Sequence, residues 1–157
     1  MAVNDLIGTQ LAVTLHELVY RVDGFADELV RDHFGVSYSQ YHFLAVTSTL
    51  DRPDVTTLAE CLMVSKAAVS KRLAGLVADD LITIGSDPAH ARRVIVDLTP
   101  KAVELVTGAT ALLEREFHDA LHELPGGEAD ALNARLRVVL DIFIRKQEAA
   151  APPAARA

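Results

Sequence analysis

A chain of 157 residues, half of them hydrophobic, suits a single domain or a small two-lobed protomer with enough apolar material for a core. Aromatics make up only 5% and tryptophan is absent, so aliphatic helix packing is the expected source of stability. One cysteine excludes an internal disulfide and suits a reducing cytoplasm, and no signal pattern or membrane-spanning apolar run argues for a membrane partner.

In chain order, Leu11, Leu15, Leu18, Val22, Phe25 and Leu29 recur at steps of three and four, predicting a long amphipathic helix from about 5 to 33 with Gly35 as its C-cap. A second helix starts after Ser37, carries Tyr41, Phe43, Leu44 and Val46, and ends near Leu50; residues 51–54 form a loop. Between Thr56 and Thr99 stand two short helical patterns around a tight turn, then two β-type runs around a polar loop. Leu58, Ala59 and Leu62 give the first helix its apolar face, and Val69, Leu73, Leu76 and Val77 give the second. Ser65 is placed to cap that second helix. Its other face carries Lys66, Ala67, Ser70, Lys71 and Arg72, a strip of small and basic side chains that suits a major groove. Leu81, Thr83 and residues 92–98 favour strands, and residues 85–91 form the loop between them, with Arg92 and Arg93 at its end.

Thr99 and Pro100 open another long helix with Val103, Val106, Leu113, Phe117, Leu121 and Leu124 as its stripe. Pro125, Gly126 and Gly127 turn the chain into a last helix striped by Leu132, Leu136, Val139, Leu140, Phe143 and Ile144, and a disordered tail is expected from about 148. The expected organisation is an N-terminal dimerisation helix (1–36), a winged helix-turn-helix DNA-binding lobe (37–98), C-terminal dimerisation helices (99–147) and a tail (148–157).

A net charge of −7 opposes DNA binding unless the charge is segregated. It is: residues 56–76 hold Lys66, Lys71 and Arg72 against Glu60 alone, while Asp23, Asp27, Glu28 and Asp32 lie early and Glu114, Glu116, Asp119, Glu123, Glu128 and Asp130 lie late.

The segments LAECLMVSKAAVSKRLAGLVADDLI and DPAHARRVIVDLTPKA resemble the MarR family of winged-helix transcription regulators. Family members carry an Asp-x-Arg motif at the wing end, then a β-run and Leu-Thr-x-x-Gly. Arg92 falls on the motif's arginine, His90 replaces its aspartate, and Ala102 follows Leu98, Thr99, Pro100 and Lys101 where glycine is common. Met63 and Asp80 stand where glycines are usual. A left-handed non-glycine costs on the order of 1 kcal/mol, so an altered turn geometry is expected at Met63. With its flanking helices the resemblance spans about residues 5–147.

It implies a mainly α fold with a small β-wing, and a homodimer whose terminal helices interlock. Two reading helices about 34–36 Å apart would match an inverted-repeat operator in double-stranded DNA. The expected function is a repressor of nearby genes, released by a small aromatic or phenolic ligand. Ser65, Lys66, Ala67, Ser70, Lys71 and Arg72 form the expected reading surface, with Arg92 in the minor groove, Arg93 alternating to the other strand face toward phosphate, and His90 either solvent-exposed or touching phosphate. The ligand would sit between the first two helices, the post-wing helix and the reading lobe, near His16, Tyr20, Tyr41 and His42.

Cys61 is expected to be a buried small hydrophobe. His118 and His122, four residues apart, can present two imidazoles to a metal, but zinc-responsive relatives carry their ligands nearer Ala109 and Leu113, so no metal or other cofactor is expected. There is no G-x-S-x-G, phosphate-cradling glycine loop or nucleophile-base pairing, which argues against an enzyme. The alternatives are a winged-helix protein-interaction module without DNA binding, and a metal-responsive repressor.

Overall fold

The structure, a computed structural model, describes the backbone of residues 4–87 and 90–150, and the side chains of residues 4–9 and 87–92 also lie outside the described set. The chain divides into two compact units, Met1–Leu113 and Glu114–Ala157. The first contains α1 (Asn4–Phe34), α2 (Tyr38–Ser48), α3 (Val55–Cys61), α4 (Lys66–Ala78), β1 (Ile82–Asp87), β2 (His90–Leu98) and the start of α5 (Pro100–His122). The second holds the end of α5, a 3-10 turn at Pro125–Gly127 and α6 (Ala129–Ala150). α6 thus continues past the expected end near 147, and residues 151–157 of the expected tail lie outside the described residues.

Helix ends follow local side-chain chemistry. Gly35 takes φ +69 and its N–H returns to the Arg31 carbonyl at 3.0 Å, closing α1. Ser37 then opens α2 through a reciprocal capping box with Gln40. Asp27 ties the two helices: Oδ1 accepts the Tyr38 N–H at 2.8 Å and Oδ2 accepts Arg31 Nε at 2.6 Å. Those two hydrogen bonds, the Arg31 one foremost, hold the Asp27 carboxyl below the usual range.

Asp54 caps α3, accepting the Thr57 N–H and hydroxyl at 2.8 and 3.0 Å. The Thr57 N–H bond is the main cause of its lowered pKa, with Arg93 adding to it. The end of α3 keeps the turn geometry a glycine would give. Met63 adopts φ +54, its N–H reaches the Glu60 carbonyl, and the Val64 N–H reaches that of Ala59. That is a Schellman closure built on methionine, so the altered geometry expected at Met63 is not found. α4 ends in the same way at Asp80, φ +55, with Asp80 N–H to the Val77 carbonyl and Leu81 N–H to that of Leu76.

The core of the first unit is aliphatic, as composition suggests. Phe43, Leu44, Leu58, Val69 and Val96 have no exposed surface, bringing α2, α3, α4 and β2 to one centre. On α5 the buried stripe differs from the expected one: Ala102, Val106, Ala109, Leu112 and Leu113 face inward, while Val103 is half exposed. Bulk misled the expectation, because small residues also face inward on α5. A Cβ at Gly108 would come within 2.8 Å of the Phe34 ring.

β1 and β2 form a two-stranded antiparallel hairpin, pairing Ile82 with Leu98 through Ser86 with Val94. β1 extends through Asp87 and β2 begins at His90, so the strands run into the segment expected to be loop. Ladder pairing overrides the turn propensities of Gly85 and Ser86.

Phe43→Ala should destabilise the first unit by about 3–5 kcal/mol, seen as a lower urea midpoint; a change under about 1 kcal/mol would contradict this core. Because Asp27 and Asp54 titrate below the ordinary carboxylate value, the stability they contribute is complete above about pH 4 and disappears as pH falls through their lower folded values. Thermal midpoints measured from pH 7 to 3 should therefore fall at the acid end, and less so in Asp54→Asn.

Candidate nucleic-acid interface

α4 is held from one side. Val69, Leu73 and Leu76 are buried, and at about 100° per residue Lys71 lies nearly opposite the centre of that arc. Ala67, Ser70 and Ala74 flank Lys71 on the outward side, and all are exposed. Lys66 and Arg72 fall on the two shoulders of the helix, also exposed. Ser65 caps α4 as expected, its hydroxyl accepting the Ala68 N–H at 3.1 Å. None of Lys66, Lys71 and Arg72 has an ion-pair partner among the described residues. The outward face of α4 is therefore narrow, unencumbered and without an acidic side chain. Arg72 and Lys71 also line a shallow cavity against Ser39, Gln40 and Phe43 of α2.

The wing meets the start of α3 through its second strand. Its second strand bridges Asp54 through Ile95, and the Val96 N–H donates to the Pro53 carbonyl at 3.0 Å. Arg93 Nε lies 2.9 Å from Asp54 Oδ2, a partner the sequence reading did not find. Asp54 before Thr57 is a legible helix cap, but nothing local signals its pairing with an arginine 39 residues away. The side chains of Arg92 and His90 lie outside the described residues.

Among the described residues, the four expected ligand residues have different surroundings. His16 and Tyr20 sit on exposed turns of α1, His16 Nδ1 engaging the Ala12 carbonyl and Tyr20 73% exposed. Tyr41 is buried, its hydroxyl 3.0 Å from Thr110 Oγ1, and His42 is exposed beside the Tyr38 ring. A cavity of about 500 Å³ lies instead among Phe34, Val36, Gln40, Asp79, Asp80, Lys101 and Leu105. Lys101 Nζ donates there to the Asp79 carbonyl at 2.7 Å.

Cys61 is exposed, which corrects the expectation of burial. Leu58, Ala59 and Leu62 define the buried arc of α3 and its end, and Cys61 lies about 100° from the arc's centre. In the second unit His118 and His122 meet edge to face with their Nε2 atoms 2.7 Å apart. Among the described residues no group of three or more His, Cys, Asp or Glu is placed to hold a metal, and no helix is long and apolar enough to cross a membrane.

Residues 34–93 match the MarR family, the segment from the end of α1 through the wing. No curated protein matches the chain in sequence. Among solved structures, the chain is similar to the transcriptional regulator BldR from Sulfolobus solfataricus, with 23% identity, 90% of this chain and 99% of that one covered, and a TM-score of 0.73. It is similar to Staphylococcus aureus MepR in a DNA complex, with 21% identity, coverage of 85% and 97%, and a TM-score of 0.73. A cysteine-to-serine mutant of Escherichia coli MarR complexed with operator DNA matches at 21% identity, coverage of 82% and 95%, and a TM-score of 0.67. These likenesses establish the winged-helix fold with its flanking helices, and the match to the MarR family is confined to residues 34–93.

Proposed function

We propose that this protein is a DNA-binding transcriptional regulator that acts as a homodimer on an inverted-repeat operator, represses the genes beside it, and is released by a small ligand. The observation that carries the reading is the outward face of α4: Ala67, Ser70, Lys71 and Ala74 on a helix anchored only from behind, in a chain whose net charge is −7. A narrow face lets the helix sink into a major groove, and Lys71 meets base edges or phosphate at its centre. Lys66 and Arg72, on the shoulders, suit the phosphates on either side. Arg92 is assigned to the minor groove, and if His90 touches phosphate, binding would strengthen as pH falls through its titration. The MepR and MarR structures cited above hold DNA on the same fold, which supports the reading.

Dimerisation accounts for apolar surface that a single copy leaves uncovered. α1 exposes Leu11, Leu18, Val19 and Val22, and α6, with no buried residue, exposes Leu132, Leu140, Phe143 and Ile144. Such stripes at helical spacing are buried most simply by a second copy. For the effector, the cavity beside Lys101 is better placed than the four residues chosen from sequence, because it lies between the end of α4 and the start of α5. A small aromatic or phenolic ligand entering it would displace the Lys101 contact to Asp79 and so shift the reading helix.

Fluorescence-anisotropy titration against DNA upstream of the protein's own gene, with a scrambled duplex as control, tests the reading. Specific binding that weakens steeply between low and moderate salt is expected; equal binding to both duplexes, or none at low salt, would favour a protein-interaction module. Arg92→Ala should weaken operator binding strongly with the dimer intact, and near wild-type affinity would remove Arg92 from the interface. Leu140→Glu should shift the protein toward monomer in light scattering after size exclusion, and an unchanged dimer mass would reject α6 as an interface helix.

A further inference from the structure

A two-stranded hairpin is marginally stable alone, so the direction in which the wing points depends on what the rest of the module holds along its strands. Along the middle and outer part of β2 the hairpin is held at the start of α3: the Asp54–Ile95 bridge, the Val96 N–H to Pro53 bond, and the Arg93–Asp54 ion pair at 2.9 Å. The pair is asymmetric. The Asp54 side chain is 9% exposed and that of Arg93 54%. The other oxygen of Asp54 is occupied by the Thr57 N–H and hydroxyl, which fixes the carboxylate's plane. A second bridge across the same joint, Arg52 to Asp97 at 3.7 Å, is exposed at both ends and of the kind that contributes little.

We propose that Arg93 is a positioning residue and not a phosphate contact: its guanidinium, held by the carboxylate that caps α3, locks the wing to the helix-turn-helix at the angle DNA binding requires. This rests on the DNA-binding reading above. It assigns to Asp54, an acidic residue beside a surface that meets a polyanion, a role in favour of binding. Simple electrostatics assigns the opposite sign, because removing that carboxylate would lessen repulsion and free a cation.

Asp54→Asn separates the two, since asparagine caps a helix about as well as aspartate but carries no charge to hold the guanidinium. On the positioning account, operator affinity falls by about tenfold in Asp54→Asn and in Arg93→Gln, the double variant is no weaker than the single ones, and Arg93→Lys recovers part of the loss. Unchanged or tighter binding by Asp54→Asn would overturn the proposal, as would losses that multiply in the double variant. Hydrogen exchange on the free protein provides a readout that needs no DNA. The amides of residues 94–96 should lose protection equally in both single variants and in the double. Intact protection in Arg93→Gln would overturn the proposal even if the wild-type protein bound no duplex, and loss of protection with no duplex bound would refute the DNA-binding reading alone.

Discussion

α4 is supported from one side only, through the burial of Val69, Leu73 and Leu76, which is what a helix proposed to enter a groove requires. Each of these side chains excludes water against elements brought together by Phe43, Leu44, Leu58 and Val96, so α4 is part of the main core. Full burial of a side chain of this size is worth about 1.5–3 kcal/mol. That is ample to hold a helix whose remaining surface is Ala67, Ser70, Lys71 and Ala74 and makes no packing of its own. The bareness of the outer face is affordable because the inner face is complete.

Both ends of the helix-turn-helix place strain where geometry demands it. Met63 and Asp80 occupy the left-handed position of Schellman closures, at a cost of about 1–2 kcal/mol each relative to right-handed backbone. What they gain is satisfaction of the last carbonyls of α3 and α4, which would otherwise face the protein with no donor. The tight turn between α3 and α4, and the immediate entry of α4 into β1, depend on those closures. Asp54 and the outer part of β2 meet on one side of the module, where the Arg93 pair forms.

Much of this was readable because it is local. Ser65 caps the helix it was assigned to, α2 begins directly after Ser37, Gly35 ends α1, and Leu58, Ala59 and Leu62 are buried. Periodicity reads such features because a helix repeats within a few residues. What escaped depends on distant partners. The pairing of Asp54 with Arg93 and the contact of Tyr41 with Thr110 join segments whose proximity no local pattern states. Weighting α5 by bulk chose Val103 over Ala102 and Ala109, although small residues are what close helix approach selects. Cys61 sits off the buried arc, a matter of angle that hydrophobic character alone does not settle. The outward face of α4 was legible as a helix face, but the separation of central Lys71 from the shoulder cations came only with the buried arc.

Hydroxyl-radical footprinting of the protein on its operator tests the central claim most directly, because it reports where the backbone of DNA is covered. The account predicts two protected patches on one face of the duplex, centred about one helical turn apart, each flanking a major groove and related by the symmetry of the inverted repeat. Uniform cleavage under conditions where the protein is bound, or protection without two-fold symmetry, would contradict it.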